Sequence, residues 1–126
     1  MKAIKALRIK IKIGELWISP ELHVLLTSEG DVFVARCLDF TVSSHGQDEK
    51  DALKSLAAVM KEYILTAIEN STIKNIFDPA HNKYWRMFNE LEVEEFRKDF
   101  KKSLSESLLM KCPEDIEKQT ADLTYA

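Results

Sequence analysis

The hydrophobic pattern changes period between Gly46 and Leu53, and that change constrains the fold more than any other feature of the chain. Upstream, in "LRIKIKI", Leu7, Ile9, Ile11 and Ile13 fall on one side and Arg8, Lys10 and Lys12 on the other. A two-residue period with β-branched side chains is the pattern of a half-buried strand. Downstream, Leu53, Leu56, Ala57, Met60, Tyr63, Ile64, Ala67 and Ile68 recur every three or four residues, one broad apolar stripe on a helix. One-sided strands followed by a one-sided helix bury their apolar faces against each other. The expected class is α+β, a small antiparallel sheet with the 48–70 helix across one face.

The segment "ELHVLLTSEGDVFVARCLDF" holds two apolar runs split by Ser28-Glu29-Gly30-Asp31. Glycine after a polar pair supplies the positive-φ position of a hairpin turn, expected as a type I turn closed by a glycine bulge. Leu22, Val24 and Leu26 then share a face with Phe33, Ala35 and Cys37, and "TVSSHG" (41–46) forms a third strand. Asp48 suits an N-cap, with Asp51 completing a weak capping box and Glu49 and Asp51 at the positive end of the helix dipole. The helix should end near Asn70-Ser71. "TIKNIF" is a short candidate fourth strand, and Asp78-Pro79 reads as a cap followed by the first position of a helix. Tyr84, Trp85, Phe88 and Leu91 suit one short helix, and Val93, Phe96, Phe100, Leu104 and Leu108 a second. These aromatic residues serve either as core or dimer packing or as a partner surface. From Pro113 a mobile tail is expected. The organisation is an α+β domain over residues 1–78 and a helical extension with a tail over 79–126.

At 126 residues, 45% hydrophobic and 31% charged, the chain can bury one core. It contains no apolar run long enough to span a bilayer. The basic N-terminus interleaves charge with apolar residues and lacks the continuous core of a signal peptide, so a cytoplasmic location is expected. Cys37 and Cys112 lie far apart and fit reduced thiols. Residues 1–18 carry a net +4, residues 19–78 a net −5 and residues 79–126 a net −2. The N-terminal strand therefore suits an anion, and the middle segment a basic partner.

Residues with chemical potential do not assemble into a recognisable constellation. His23, His45 and His81 show no metal-ligand spacing, and His45 with Asp48 and Glu49 is the only local group of ligand types. Ser43-Ser44-His45 are strand neighbours that point to alternate faces, which does not build a proton relay. Three glycines in the whole chain leave no phosphate-cradling loop. Cys37 falls on the core side, where a thiol is inert. Arg8, Lys10 and Lys12 are either phosphate contacts or the wet face of a strand.

The stretch "DVFVARCLDFTVSSHGQDEKDALKSLAAVMKEYI" as a whole resembles the HicB-like family, the antitoxin halves of HicA–HicB toxin–antitoxin pairs and their solitary relatives. Val32 to Cys37 match the family's strand of alternating aromatic and small residues, and Leu38-Asp39-Phe40 its turn. Ser44-His45-Gly46 match the end of the next short strand, and Asp51-Ala52-Leu53 the helix opening. Leu38 stands where proline is usual, and Asp48 where threonine usually caps the helix. The likeness covers roughly residues 22–68. It implies a β-β-β-α-β core like a truncated ribonuclease H fold, here with an extra N-terminal strand (4–13) and a C-terminal helical extension. It also implies a non-catalytic protein without metal or cofactor, commonly a homodimer, that binds and blocks a small toxin cleaving messenger RNA. Residues 73–126 lack the pattern of the DNA-binding appendage found on many such antitoxins.

The acidic middle segment suits a basic toxin, since complementary charge speeds encounter. Affinity would come from the second face of the hairpin, with Leu25, Val32 and Val34, flanked by Asp39 and His45. An alternative is a nucleic-acid-binding regulator using Arg8, Lys10 and Lys12. A third reading, a residual metal-dependent hydrolase built on Asp39 and His45, ranks last.

Overall fold

The computed structural model describes residues 1–124. Its strands are β1 (Lys2–Ile9), β2 (Lys12–Ile13), β3 (Trp17–Ile18), β4 (Leu22–Glu29), β5 (Val32–Cys37) and β6 (Val42–Gly46). The helices are α1 (Glu49–Glu69), α2 (Asn82–Ser107) and α3 (Pro113–Glu117), with a 3₁₀ turn at Ile73–Asn75. Four strands form one antiparallel sheet in the order β1-β4-β5-β6, and β2 and β3 form a separate ribbon. The protein is α+β, as the change of period predicts.

The β4–β5 hairpin is the centre of the sheet. Val24 pairs with Cys37 and Leu26 with Ala35, so the alternating apolar residues of both strands reach a common face. α1 crosses that face and buries Ala52, Leu56, Met60 and Ile64 against Leu22, Val24, Leu26, Ala35 and Cys37. Each fully buried aliphatic side chain of this kind contributes about 1.5–3 kcal/mol. The helix starts as its sequence dictates. The Asp48 carboxylate accepts the Asp51 N–H at 2.7 Å, and the Asp51 carboxylate accepts the Gln47 N–H at 3.1 Å. Asn70 is the C-cap, followed by Ser71 at φ +58°.

Several elements differ from expectation, each for a local reason. Glu29 pairs with Val32, leaving only Gly30-Asp31 in the hairpin loop. Of these two only Gly30 has positive φ, +63°, the pattern of a type II′ turn, whose twist suits the flanking strands. "LRIKIKI" is not one strand: β1 begins at Lys2 and stops at Ile9. Ser19 folds back on Ile11, donating its N–H to the Ile11 carbonyl (2.9 Å) and accepting the Ile11 N–H on its hydroxyl (2.8 Å). Ile11 and Ile13 still pack on the α1-side core.

"TIKNIF" forms the 3₁₀ turn instead of a strand. The Tyr63 hydroxyl donates to the Ile76 carbonyl at 2.9 Å and the Asp78 N–H to the Asp39 carbonyl at 2.8 Å, so the segment is bound to a helix and a turn, not to a sheet edge. The closing strand of a β-β-β-α-β unit is therefore not present among the described residues.

Asp78 does not cap a helix either. Its carbonyl accepts the Thr41 hydroxyl, and the Ala80 N–H donates to the Leu38 carbonyl at 2.8 Å, so residues 78–80 bridge to the 38–41 turn. α2 begins four residues later, where His81 Nδ1 accepts the Lys83 N–H at 3.1 Å.

The two expected C-terminal helices are one 26-residue helix. No glycine or proline interrupts residues 82–107, and the change of apolar phase after Leu91 rotates the stripe without breaking the helix. The short helix α3 occupies part of the expected tail.

The first half of α2 covers the second face of the sheet. Leu25, Leu38, Ala80 and Phe88 form a second buried cluster, flanked by Ala6, Tyr84, Trp85 and Leu91. The compact unit accordingly runs from Met1 to Glu92, past the boundary expected after residue 78, and a second unit begins at Val93.

Candidate functional site

The turn after β5 holds the most enclosed carboxylate among the described residues. Asp39 is only 6% exposed. One of its carboxylate oxygens accepts the His23 N–H at 2.7 Å, and the other lies 3.1 Å from His23 Nδ1. The imidazole packs against Trp85 and Phe88, with ring centroids at 5.1 and 5.3 Å. His23 alternates with Leu22 and Val24 along β4, and that alternation is the sequence signal that sends it to the α2 side. A carboxylate-oriented imidazole is the arrangement of a general base. Among the described residues, however, no hydroxyl or thiol is hydrogen-bonded to this ring. The nearest thiol, Cys37, lies 3.9 Å from Asp39 Oδ1, and burial pushes it up to about 11, so it stays protonated at neutral pH. The pair ties β4 to the turn. Asp39 is thus joined to His23, not to His45, which is exposed on β6 opposite Val34. No group of three or more histidine, cysteine or acidic side chains converges among the described residues.

The basic row divides. Arg8 grips Glu92 of α2 with Nε and Nη2 at 2.7 and 2.8 Å, and its Nη1 reaches Glu21 at 2.9 Å. The Arg8 hydrogen bonds hold the Glu92 carboxyl below the usual carboxylate range. Lys5 pairs with Glu49 at 3.1 Å, while Lys10 and Lys12 are exposed where β1 gives way to β2. Arg8 is a clamp that fastens α2 to the sheet. A second clamp lies at the other end of the covered face. Arg36 donates to the buried Thr27 hydroxyl (2.8 Å) and to Glu29 (3.0 Å), with its guanidinium over the Tyr84 ring at 4.8 Å.

Between and beyond these clamps the expected partner residues separate. Leu25 is fully buried under Phe88 and is removed from any exposed surface, a correction forced by α2. Val32 and Val34 are half-buried and His45 is exposed. Val34 faces His45 across the β5–β6 ladder, so these residues form a corner of the sheet beyond Tyr84. Among the described residues β6 is an edge strand, with no hydrogen-bonded neighbour on its outer side. Arg36, Thr41, Val42, Ser43, Ala80 and Tyr84 line a recess of about 170 Å³ beside it. At the same end of the sheet the register brings the hairpin loop with Asp31 near Gly46, which is followed by Asp48 and Asp51, all three acids exposed.

No protein-family model matches this chain, and no curated protein or solved structure matches it significantly. The likeness over residues 22–68 therefore rests on the residues quoted for it. What the geometry adds is chemical: an open strand edge, a small recess lined by Arg36 and Tyr84, and acids on one side.

Proposed function

We propose that this chain is a non-catalytic protein-binding module of the HicB antitoxin type, which receives a small basic RNA-cleaving protein on the β5–β6 corner. The observation that carries the proposal is the coincidence of an open edge strand with exposed acids. Strand edges accept a partner's backbone as an added strand, and side-chain recesses beside them give specificity. Val32 and Val34 supply apolar contact, His45 and Ser43 hydrogen bonds, and Asp31, Asp48 and Asp51 the field that attracts a basic protein. Asp39 acts indirectly, by holding the turn that precedes β6. The regulator alternative draws less support, because Arg8 is already engaged by Glu92 and Glu21, which leaves of that row only Lys10 and Lys12 without an ion pair among the described residues.

The test is purification of the full chain from its native host. A small basic protein encoded beside it should co-purify in fixed ratio, and co-expression should relieve the growth arrest that protein causes alone. If no such protein co-purifies and no arrest is relieved, the antitoxin proposal fails.

A further inference from the structure

Two adjoining recesses run along α1 beside the β1 edge of the sheet, the edge opposite β6. The first, about 360 Å³, is lined by Ile9, Ile11, Leu53, Ala57 and Met60 together with Lys10 and Lys12. The second, about 290 Å³, is lined only by apolar residues, among them Ile13, Trp17, Ile64, Ile68, Ile73 and Ile76. They meet where Lys12 adjoins Ile13 on β2 and where Met60 gives way to Ile64 one turn along α1. Trp17, Ile68 and Ile73 are 38%, 55% and 39% exposed, so the apolar recess opens to solvent. Apart from the Trp17 indole N–H, its lining offers water no side-chain hydrogen bond, and apolar cavities of roughly 150 Å³ already bind benzene.

Charge separates the two ends of this groove. Ala57, exposed at the wall of the first recess, has Lys50 and Lys54 seven and three residues before it and Lys61 four after. All three lysines therefore lie within about 60° of Ala57 around the helix, while Asp51, Glu62 and Glu69 lie roughly 120–140° away. Glu49, on the sheet side, is taken by Lys5 at 3.1 Å. Lys10 and Lys12 line the other wall, and none of the five lysines makes an ion pair among the described residues. The acid of the β2–β3 turn, Glu15, adjoins Leu16 at the apolar end. An unpaired basic rim beside an open apolar recess fits one molecule with an anionic head and an alkyl chain. A nucleic-acid strand would find no stacking ring between the lysines and would leave the recess empty. We propose that this groove binds a single-chain anionic amphiphile, its carboxylate or phosphate head among Lys10, Lys12, Lys54 and Lys61 and its alkyl chain against Ile13, Trp17 and Ile68. The site lies at the edge of the sheet opposite the β5–β6 corner and is independent of what binds there.

Calorimetric titration of the full chain with octanoate, decanoate, dodecanoate and tetradecanoate, each below its micelle concentration, tests it. One molecule should bind per chain, tightening about fourfold for each added methylene until the recess is full. Dodecyltrimethylammonium, with a matching tail and a cationic head, should give no saturable heat at the same concentrations. Trp17 emission should move to shorter wavelength on binding, a shift lost in Trp17→Phe. Lys54→Glu with Lys61→Glu should weaken dodecanoate on the order of tenfold, and Ile68→Gln by a similar factor, with the thermal transition retained. No saturable binding at any chain length, an affinity indifferent to chain length, or equal binding of both heads overturns the proposal. So does an affinity untouched by these substitutions. Binding to anionic phospholipid vesicles or to RNA without binding of the soluble carboxylates overturns it too, and gives the lysines to a membrane surface or to nucleic acid.

Discussion

Gly46→Ala is expected to be among the most damaging single-methyl additions the chain can receive. Gly46 ends β6 directly against the first turn of α1, and it is buried. A Cβ there would lie 2.4 Å from the Ala52 nitrogen, 2.7 Å from the Asp51 carbonyl carbon and 2.8 Å from Asp51 Oδ2. The first two are backbone atoms of a helix, so no rotamer change relieves the overlap. Reaching ordinary van der Waals contact requires a shift of about 1 Å between strand and helix, and overpacking of this kind costs about 1–3 kcal/mol. The same shift strains the Asp51–Gln47 hydrogen bond at 3.1 Å, which adds about 0.5–1.5 kcal/mol. A total near 3 kcal/mol should appear as a lowered denaturant midpoint with an unchanged slope. Gly30→Ala is the control: nothing lies within 4 Å of its Cβ position, and only φ +63° opposes the substitution, at about 1–2 kcal/mol. If Gly46→Ala costs no more than Gly30→Ala, the close approach of β6 to α1 is wrong.

Other outcomes follow from the second core, the buried thiol and the clamp. Phe88→Ala should destabilise by about 3–5 kcal/mol and Leu25→Ala by about 2–5, read from urea unfolding, because both side chains are fully buried between sheet and α2. Cys37 should resist iodoacetamide at pH 8 in the native protein while exposed Cys112 reacts, as mass spectrometry of the labelled peptides will show. Its folded-state pKa is raised, so the unfolded chain ionises first, and this contribution to stability is lost as pH climbs from about 9 to about 11. Unfolding midpoints across that window should fall less steeply in Cys37→Ala. Arg8→Met should let the Glu92 carboxyl titrate at higher pH, visible by NMR, and should bring acid unfolding to higher pH. A Glu92 titration unchanged by Arg8→Met would remove the clamp.

The parts of the fold written in local periodicity were legible from the sequence. Leu22, Val24 and Leu26 reached one face with Ala35 and Cys37 because strand alternation leaves no choice, and Asp48 capped α1 because its side chain answers the Asp51 N–H. The second layer was missed although a signal was present. "VLLT" at residues 24–27 is buried without alternation, the pattern of a strand covered on both sides, and it marks Leu25 as interior. The split of α2 into two helices came from a genuine feature, the rotation of its apolar face after Leu91. Rotation and interruption look alike in hydropathy, and only the absence of glycine and proline distinguishes them. "TIKNIF" had strand-like residues, but its backbone is tied to Tyr63 and to the Asp39 turn and not to a strand, which is a tertiary fact. The candidate corner was half legible: Val34 and His45 share a face by alternation, whereas the withdrawal of Leu25 and Arg8 into the α2 layer depends on contacts far apart in sequence.

The most direct measurement of the central claim takes any small basic protein that co-purifies with the chain and follows its cleavage of RNA, titrated with the unaltered chain and with Val34→Glu. The β5–β6 corner as docking surface predicts stoichiometric inhibition by the unaltered chain. It also predicts at least a tenfold weaker effect for Val34→Glu, about 1.4 kcal/mol, with the fold retained. Equal inhibition by both proteins, or cleavage untouched by either, contradicts it.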